Sequence, residues 1–164
     1  MADTKSAVGR LYLREEELRQ VIELLFFAYR DFTSDLDAIL RSCRFGRAHH
    51  RVIHFVGRHP GISVADLLGI LRITKQSLSR VLNQLIAGGY ISQRPDANDR
   101  RRRMLALTEK GRELERRLSA PQQARVARAF REAGAEAVEG YRRVLTGLID
   151  DENRAAILRL IGRP

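Results

Sequence analysis

Hydrogen-bonding and cationic side chains are concentrated between Thr74 and Arg103, and their types and spacing suit contact with a nucleic-acid duplex. On a helix capped by Thr74, the residues Lys75, Gln76, Ser77, Ser79, Arg80 and Asn83 are polar and available near its start or on one side. The first turns of such a helix enter a major groove. Gln76 suits a bidentate pair with adenine, and Arg80 suits guanine or a phosphate; a good pair discriminates by about 1–3 kcal/mol. Further on, Asp99 precedes Arg100, Arg101, Arg102 and Arg103. Adjacent guanidiniums neutralise phosphates and release counterions. The bland alternative is a polar helix surface and a solvated turn.

Charge placement argues against the bland alternative. The chain has 30 Lys+Arg against 20 Asp+Glu, a net of +10. Between Arg41 and Arg103 there are 13 basic and 3 acidic residues, so this segment holds the whole excess. The remaining 17 basic and 17 acidic residues cancel.

The surrounding pattern supplies elements that would hold these groups. Leu78, Val81, Leu82, Leu85 and Ile86 form the apolar stripe of the Thr74 helix, and Gly88-Gly89 ends it in a left-handed cap. Tyr90–Pro95 and Arg103–Leu107 read as strands joined by the turn Asp96–Asp99. Upstream, Ser63 and Asp66 form a capping-box-like start to a helix with Leu67, Leu68 and Leu71 inward, and Arg72-Ile73 is the turn into Thr74. Arg47–Arg58 is a helix with Val52, Ile53, Phe55 and Val56 inward, bounded by Phe45-Gly46 and His59-Pro60-Gly61. A helix, a turn, a groove-reading helix and a basic wing make a winged helix-turn-helix.

Flanking helices complete the chain. Arg14–Leu40 reads as a long helix interrupted near Thr33, with Leu18, Val21, Ile22, Leu25, Phe26, Tyr29 and Phe32 at helical spacing and Leu24 and Phe27 widening the stripe. So apolar a helix implies a partner subunit. Thr108 caps a helix expected to end near Leu118, with a restart at Ser119–Gln122. Gly134 and Gly140 loosen the segment after that restart, and Asp150-Asp151-Glu152 opens a last helix with Ile157, Leu158 and Ile161 inward. The fold class is mainly α with a small two-stranded β-wing.

The arrangement resembles the MarR family of bacterial transcription regulators over nearly the whole chain. The wing carries the most specific likeness: Asp99-Arg100-Arg101, then Leu107-Thr108-Glu109-Lys110-Gly111 at the family's spacing, while Thr74–Arg80 resembles its recognition-helix start. The resemblance implies one domain over 1–164, with an N-terminal dimerisation helix (11–44), a winged helix-turn-helix (46–111) and C-terminal dimerisation helices (112–164). It implies a homodimer on a palindromic operator in double-stranded DNA, expected to repress and to be released by a small organic ligand. It also implies that Arg101 enters the minor groove with its guanidinium held by Asp99, while Arg100, Arg102 and Arg103 contact phosphates. An effector site between the winged lobe and the helical region would draw on Phe27, Arg30 and His54, and neighbouring arginines would favour an organic anion. The family commonly has Gly where this chain has Arg72; at positive φ, Arg there costs about 1 kcal/mol.

Other classes fit less well. No phosphate-binding glycine loop or nucleophile motif marks an enzyme, and aromatic content of 6% offers no stacking platform for an RNA-binding module. His50 and His54 have the i, i+4 spacing of metal ligands, beside His49 and His59, but no Asp or Glu lies between Phe45 and Gly61. Cys43, flanked by Arg41 and Arg44, would favour thiolate. A metal- or redox-responsive regulator of the same fold is therefore the alternative; the expectation is no metal and no cofactor. No apolar run reaches the roughly 18 residues of a membrane span, MADTKSAVGR has no signal h-region, and one cysteine suits a reducing cytoplasm.

Overall fold

Local caps set most element boundaries in the computed structural model, which describes residues 14–162. The MADTKSAVGR segment and residues 11–13 of the N-terminal helical region lie outside the described residues. Helix α1 (Glu15–Ser34) is followed, after a break at Asp35-Leu36, by α2 (Asp37–Ser42). The interruption expected near Thr33 is where the Thr33 hydroxyl donates back to the Tyr29 and Arg30 carbonyls. Helix α3 (Arg47–Arg58) comes next, then strand β1 (Ile62–Ser63) and helix α4 (Val64–Leu71), whose N-cap Ser63 accepts the Asp66 N–H. Helix α5 (Lys75–Ala87) starts at Thr74, which accepts the Ser77 N–H. It ends in a Schellman arrangement: Gly89 has φ +78° and the Tyr90 N–H reaches the Leu85 carbonyl.

Strands β2 (Ile91–Pro95) and β3 (Arg103–Leu107) pair antiparallel, from Ile91 opposite Leu107 to Pro95 opposite Arg103. The sheet has a third strand that the sequence pattern did not reveal. β1 pairs with β3 through Ile62–Leu105 and Ser63–Met104, giving the order β1-β3-β2. A two-residue strand leaves too short a pattern to be read locally.

The core lies between α3, α4, α5, the sheet and the first half of α6 (Glu109–Ala133). Val52, Ile53, Val56, Leu67, Leu78, Leu85, Leu105 and Leu118 are all but fully buried. Each such side chain contributes roughly 1.5–3 kcal/mol by leaving water. Phe55, Leu68, Leu71 and Ile86 pack against this core half-buried. Cys43 closes α2 and packs there as well, a free and half-buried thiol.

Two expectations fail in the C-terminal part. The helix does not stop at Leu118 and restart: α6 runs unbroken through Pro121. Pro121 forfeits one helical hydrogen bond, but Leu114 and Leu118 are anchored before it. After it, Arg125 grips Asp35 at 2.6 and 2.8 Å. Tertiary contacts on both sides outweigh the local signal. Gly134, at φ +86°, then separates α6 from α7 (Ala135–Leu148) and α8 (Asp151–Ile161). In α8, Leu158 and Ile161 are not inward; both are exposed, and Ile157 is half-buried. No described element of the same chain covers that face. The α1 stripe is likewise bare: Ile22 and Leu24 are 67% exposed and Phe26 63%.

Candidate nucleic-acid interface

The recognition face is built on the buried stripe of α5. With Leu78, Val81, Leu82 and Leu85 turned into the core, Lys75, Gln76, Ser79, Arg80 and Asn83 stand exposed. Thr74 and Ser77, also exposed, build the helix start. The Thr74 hydroxyl accepts the Ser77 N–H at 3.1 Å and donates to the Ser77 hydroxyl at 2.9 Å, which leaves the Ser77 O–H free to donate outward.

The turn entering α5 is held at a cost. The Arg72 N–H bonds the Leu68 carbonyl, and Arg72 adopts φ +50°, ψ +42°. This is the left-handed conformation that glycine takes without strain, so the departure at this position is real in the backbone. The Arg72 side chain is exposed.

The wing turn is organised by its two aspartates. Asp96 accepts the Asn98 N–H at 2.9 Å and Asp99 accepts the Arg101 N–H at 3.0 Å. The Arg102 N–H reaches the Asp99 carbonyl and the Asp96 N–H reaches the Arg102 carbonyl. Asp99 thus holds the backbone of Arg101 rather than its guanidinium, correcting the expectation. A short aspartate side chain satisfies its own loop first. Arg102 has a partner that sequence reasoning missed: its guanidinium lies 3.5 Å from Asp66 at the start of α4.

A cleft of about 490 Å³ between α4, α5 and the wing is lined by the apolar Val64, Leu68, Leu78 and Leu82 and bordered by Lys75, Ser79, Asn83, Arg101, Arg102 and Arg103, with Ser63, Ala65 and Gln93 beside them. Gln76, Arg80 and Arg100 do not line it; they are exposed outside it. Gln93 was not foreseen; it lies on β2 opposite Leu105.

The histidines and the effector candidates lie elsewhere. Burial pushes the His50 imidazole down to about 4, helped by His54 and Arg51. Burial also lowers His54, against the attraction of Glu115. Their rings are 6.2 Å apart, and among the described residues no three His, Cys, Asp or Glu side chains gather as metal ligands. Phe27 and Arg30 meet, with the guanidinium 4.8 Å from the ring centre, whereas His54 packs edge-on against Phe55.

The motif Leu107–Gly111 also has a geometric cause. Thr108 caps α6 by accepting the Gly111 N–H and gives its own N–H to the Tyr90 carbonyl at 3.0 Å. A Cβ on Gly111 would collide with that carbonyl oxygen.

Comparison with known proteins agrees with this architecture. The family model described as MarR family matches residues 45–102. The HTH-type transcriptional regulator PetP of Rhodobacter capsulatus is 50% identical over 156 residues, 94% of each chain. The chain belongs to the MarR family. Homology and fold make it a transcription regulator and not an enzyme. FabT of Streptococcus pneumoniae, solved in complex with DNA, superposes with a TM-score of 0.70 at 25% identity, covering 80% of this chain and 94% of that one. A shorter match of 61 residues, 33% identical, joins the MarR-family chain to the transcriptional activatory protein BadR of Rhodopseudomonas palustris, covering 37% and 35% of the two chains. No described helix of this family member is long and apolar enough to cross a membrane.

Proposed function

We propose that the protein is a cytoplasmic repressor that binds a palindromic operator in double-stranded DNA as a homodimer. The observation that carries this reading is the gathering of Lys75, Ser79, Asn83 and three wing arginines at the border of one cleft, beside the exposed Gln76 and Arg80. In this reading Lys75, Gln76, Ser79, Arg80 and Asn83 meet the major groove, Arg101 enters the minor groove, and Arg100, Arg102 and Arg103 contact phosphates. Thr74, Ser77 and Asp99 hold the backbone that presents them. The DNA complex of FabT supports the choice of duplex as ligand.

The dimer reading rests on α1, α7 and α8. Leu18, Val21, Ile22, Leu25, Phe26 and Tyr29 on α1, with Tyr141, Val144, Leu148, Leu158 and Ile161, are large, apolar and exposed in a single chain. A surface of this kind needs a partner. Residues 11–44 and 112–164 are its proposed dimerisation regions, around the reading unit 46–111. A two-fold dimer places its recognition helices about 34 Å apart, one DNA turn. Release by an organic anion near Phe27, Arg30 and His54 is proposed on the Arg30 guanidinium beside Phe27, since burial disfavours a charged His54.

Selection of bound duplexes from random sequence, followed by footprinting, tests the DNA reading. A palindrome with half-sites one turn apart is expected; retention of single-stranded RNA with no duplex preference would overturn it. Light scattering at micromolar concentration should give twice the chain mass. Activation is the second reading, favoured by the partial likeness to BadR; in vitro transcription from the selected operator separates the two.

A further inference from the structure

We propose that His49 is a positioning residue. It fixes the Gln84 side-chain amide with its NH₂ group outward, as a neutral hydrogen-bond donor to the DNA backbone beside α5. This rests on the duplex reading above.

A chain of hydrogen bonds decides the orientation. His49 sits in the first turn of α3, and its Nδ1 accepts the backbone N–H of Gly46 at 3.1 Å. A ring nitrogen that accepts carries no proton, so in the neutral ring the proton is on Nε2. That nitrogen lies 2.6 Å from Gln84 Oε1. Nε2–H therefore donates, and the atom facing it must be the amide oxygen. The cap fixes the tautomer, and the tautomer fixes which end of the amide points where. The ring is itself clamped: Phe45 stacks on it at 4.6 Å and 13°, and Tyr90 meets Phe45 edge-on at 5.2 Å.

The amide nitrogen of Gln84 consequently faces away from His49, and among the described residues it has no partner. Gln84 is exposed, in the third turn of α5, one turn beyond Arg80 on the polar side that carries Gln76 and Asn83. Base edges are met by the first turns of a recognition helix; later flanking positions pass the sugar-phosphate backbone. Phosphate oxygens only accept. An amide held NH₂-outward attracts them, and one turned the other way would repel them. His49 thus sets the sign of a polar group that it does not itself present.

Three measurements test this. First, ¹⁵N NMR of DNA-free protein at pH 8 should show His49 as the Nε2–H tautomer; an Nδ1–H ring overturns the proposal whatever the DNA result. Second, Gln84→Ala should weaken operator binding about five-fold per half-site. The loss should be equal across operator sequences, with an unchanged slope of log affinity against log salt, because a neutral donor displaces no counterion. Gln84→Glu keeps the His49 bond but presents oxygen and charge, so it should bind worse than Gln84→Ala; binding at wild-type strength overturns the proposal. Third, His49→Asn, which keeps an acceptor in the first turn of α3, should weaken binding in the wild-type background and add nothing to Gln84→Ala. Additive losses overturn the positioning role. Wild-type protein that binds no duplex would sink the DNA reading and the donor role together while leaving the tautomer result standing, so the two failures are distinguishable.

Discussion

Replacing Gly111 by alanine should reverse the usual sign of that substitution. In an unconstrained helix, Gly→Ala gains up to about 1 kcal/mol because glycine has more freedom to lose on folding. Gly111 is buried in the first turn of α6, against the start of β2. A Cβ there would collide with the Tyr90 carbonyl oxygen, lie 3.0 Å from its carbon and lie 3.3 Å from Leu107 Cβ. Two of these three neighbours are rigid backbone atoms. Separating them moves α6 from β2 and stretches the Thr108 N–H bond to the same carbonyl. Overpacking costs roughly 1–3 kcal/mol and the weakened hydrogen bond about 1 kcal/mol. After the helix-propensity gain, a net loss of roughly 1–3 kcal/mol remains. For a chain of this size that lowers the melting temperature by roughly 2–12 °C. Gly69→Ala is the control: it lies exposed in α4 with nothing within 4 Å of the added carbon, and it should gain up to about 1 kcal/mol. The chain has no tryptophan, so urea unfolding at fixed protein concentration is followed by far-ultraviolet circular dichroism. If Gly111→Ala is as stable as the wild type, the close approach of α6 to β2 is wrong.

Arg72→Gly relieves the left-handed strain, worth about 1–2 kcal/mol, against a glycine entropy cost of roughly 0.5–1 kcal/mol; urea midpoints should rise slightly. If Arg72 also contacts phosphate, the same variant lowers the salt slope of DNA binding by about 0.9 per protomer. Arg101→Ala should weaken binding mostly where flanking positions are A·T-rich, since arginine follows minor-groove width. Gln76→Ala should instead relax preference at one base pair per half-site by about 1–3 kcal/mol; binding-site selection on both variants checks this pair. Acid should destabilise the fold. His50, held near 4 against an ordinary 6.5, lets the unfolded chain take the proton first, so stability falls with pH across that window, by on the order of 2 kcal/mol at pH 5. Asp35, lowered by its bond to Arg125, loses its contribution as pH falls through the carboxylate range. Urea midpoints at pH 7.5 and pH 5 measure the effect, and His50→Gln should flatten it.

The features legible in the sequence were those that a few neighbouring residues decide. Ser63, Thr74 and Thr108 announced helix starts because a cap is a side chain bonding a backbone N–H three residues on, and all three do so. The α5 stripe and Gly88-Gly89 gave the recognition helix to within a residue. The features that escaped depend on distant partners. β1 exists because β3 pairs with it. Pro121 stays helical because Asp35, ninety residues away, holds Arg125. Leu158 and Ile161 were rightly seen as one apolar face, but periodicity does not say which molecule covers it. In the interface, residue types were legible and bonding was not. Nothing near Asp99 shows that it takes the Arg101 backbone rather than its guanidinium. Asp66–Arg102 and His49–Gln84 join residues about 35 positions apart.

The cations of the candidate interface carry almost no internal ion pairs. On α6 and α8 several arginines have carboxylates of their own: Arg112 with Glu109 at 2.7 Å, Arg116 with Glu113 at 2.6 Å, Arg154 with Asp151 at 2.6 Å. Among the described residues, Lys75, Arg80, Arg100, Arg101 and Arg103 make no such pair, and Arg102 has only a long contact to Asp66. Adjacent unpaired guanidiniums repel, which would spread a loose turn. The wing avoids this by spending Asp96 and Asp99 on backbone N–H groups. Neither aspartate forms an ion pair with the neighbouring arginines, and Arg100, Arg101 and Arg103 make none at all among the described residues. An incoming phosphate therefore has almost no internal ion pair to break. In the proposed reading it meets cations whose backbone is already fixed, so affinity should depend on counterions released rather than on contacts exchanged.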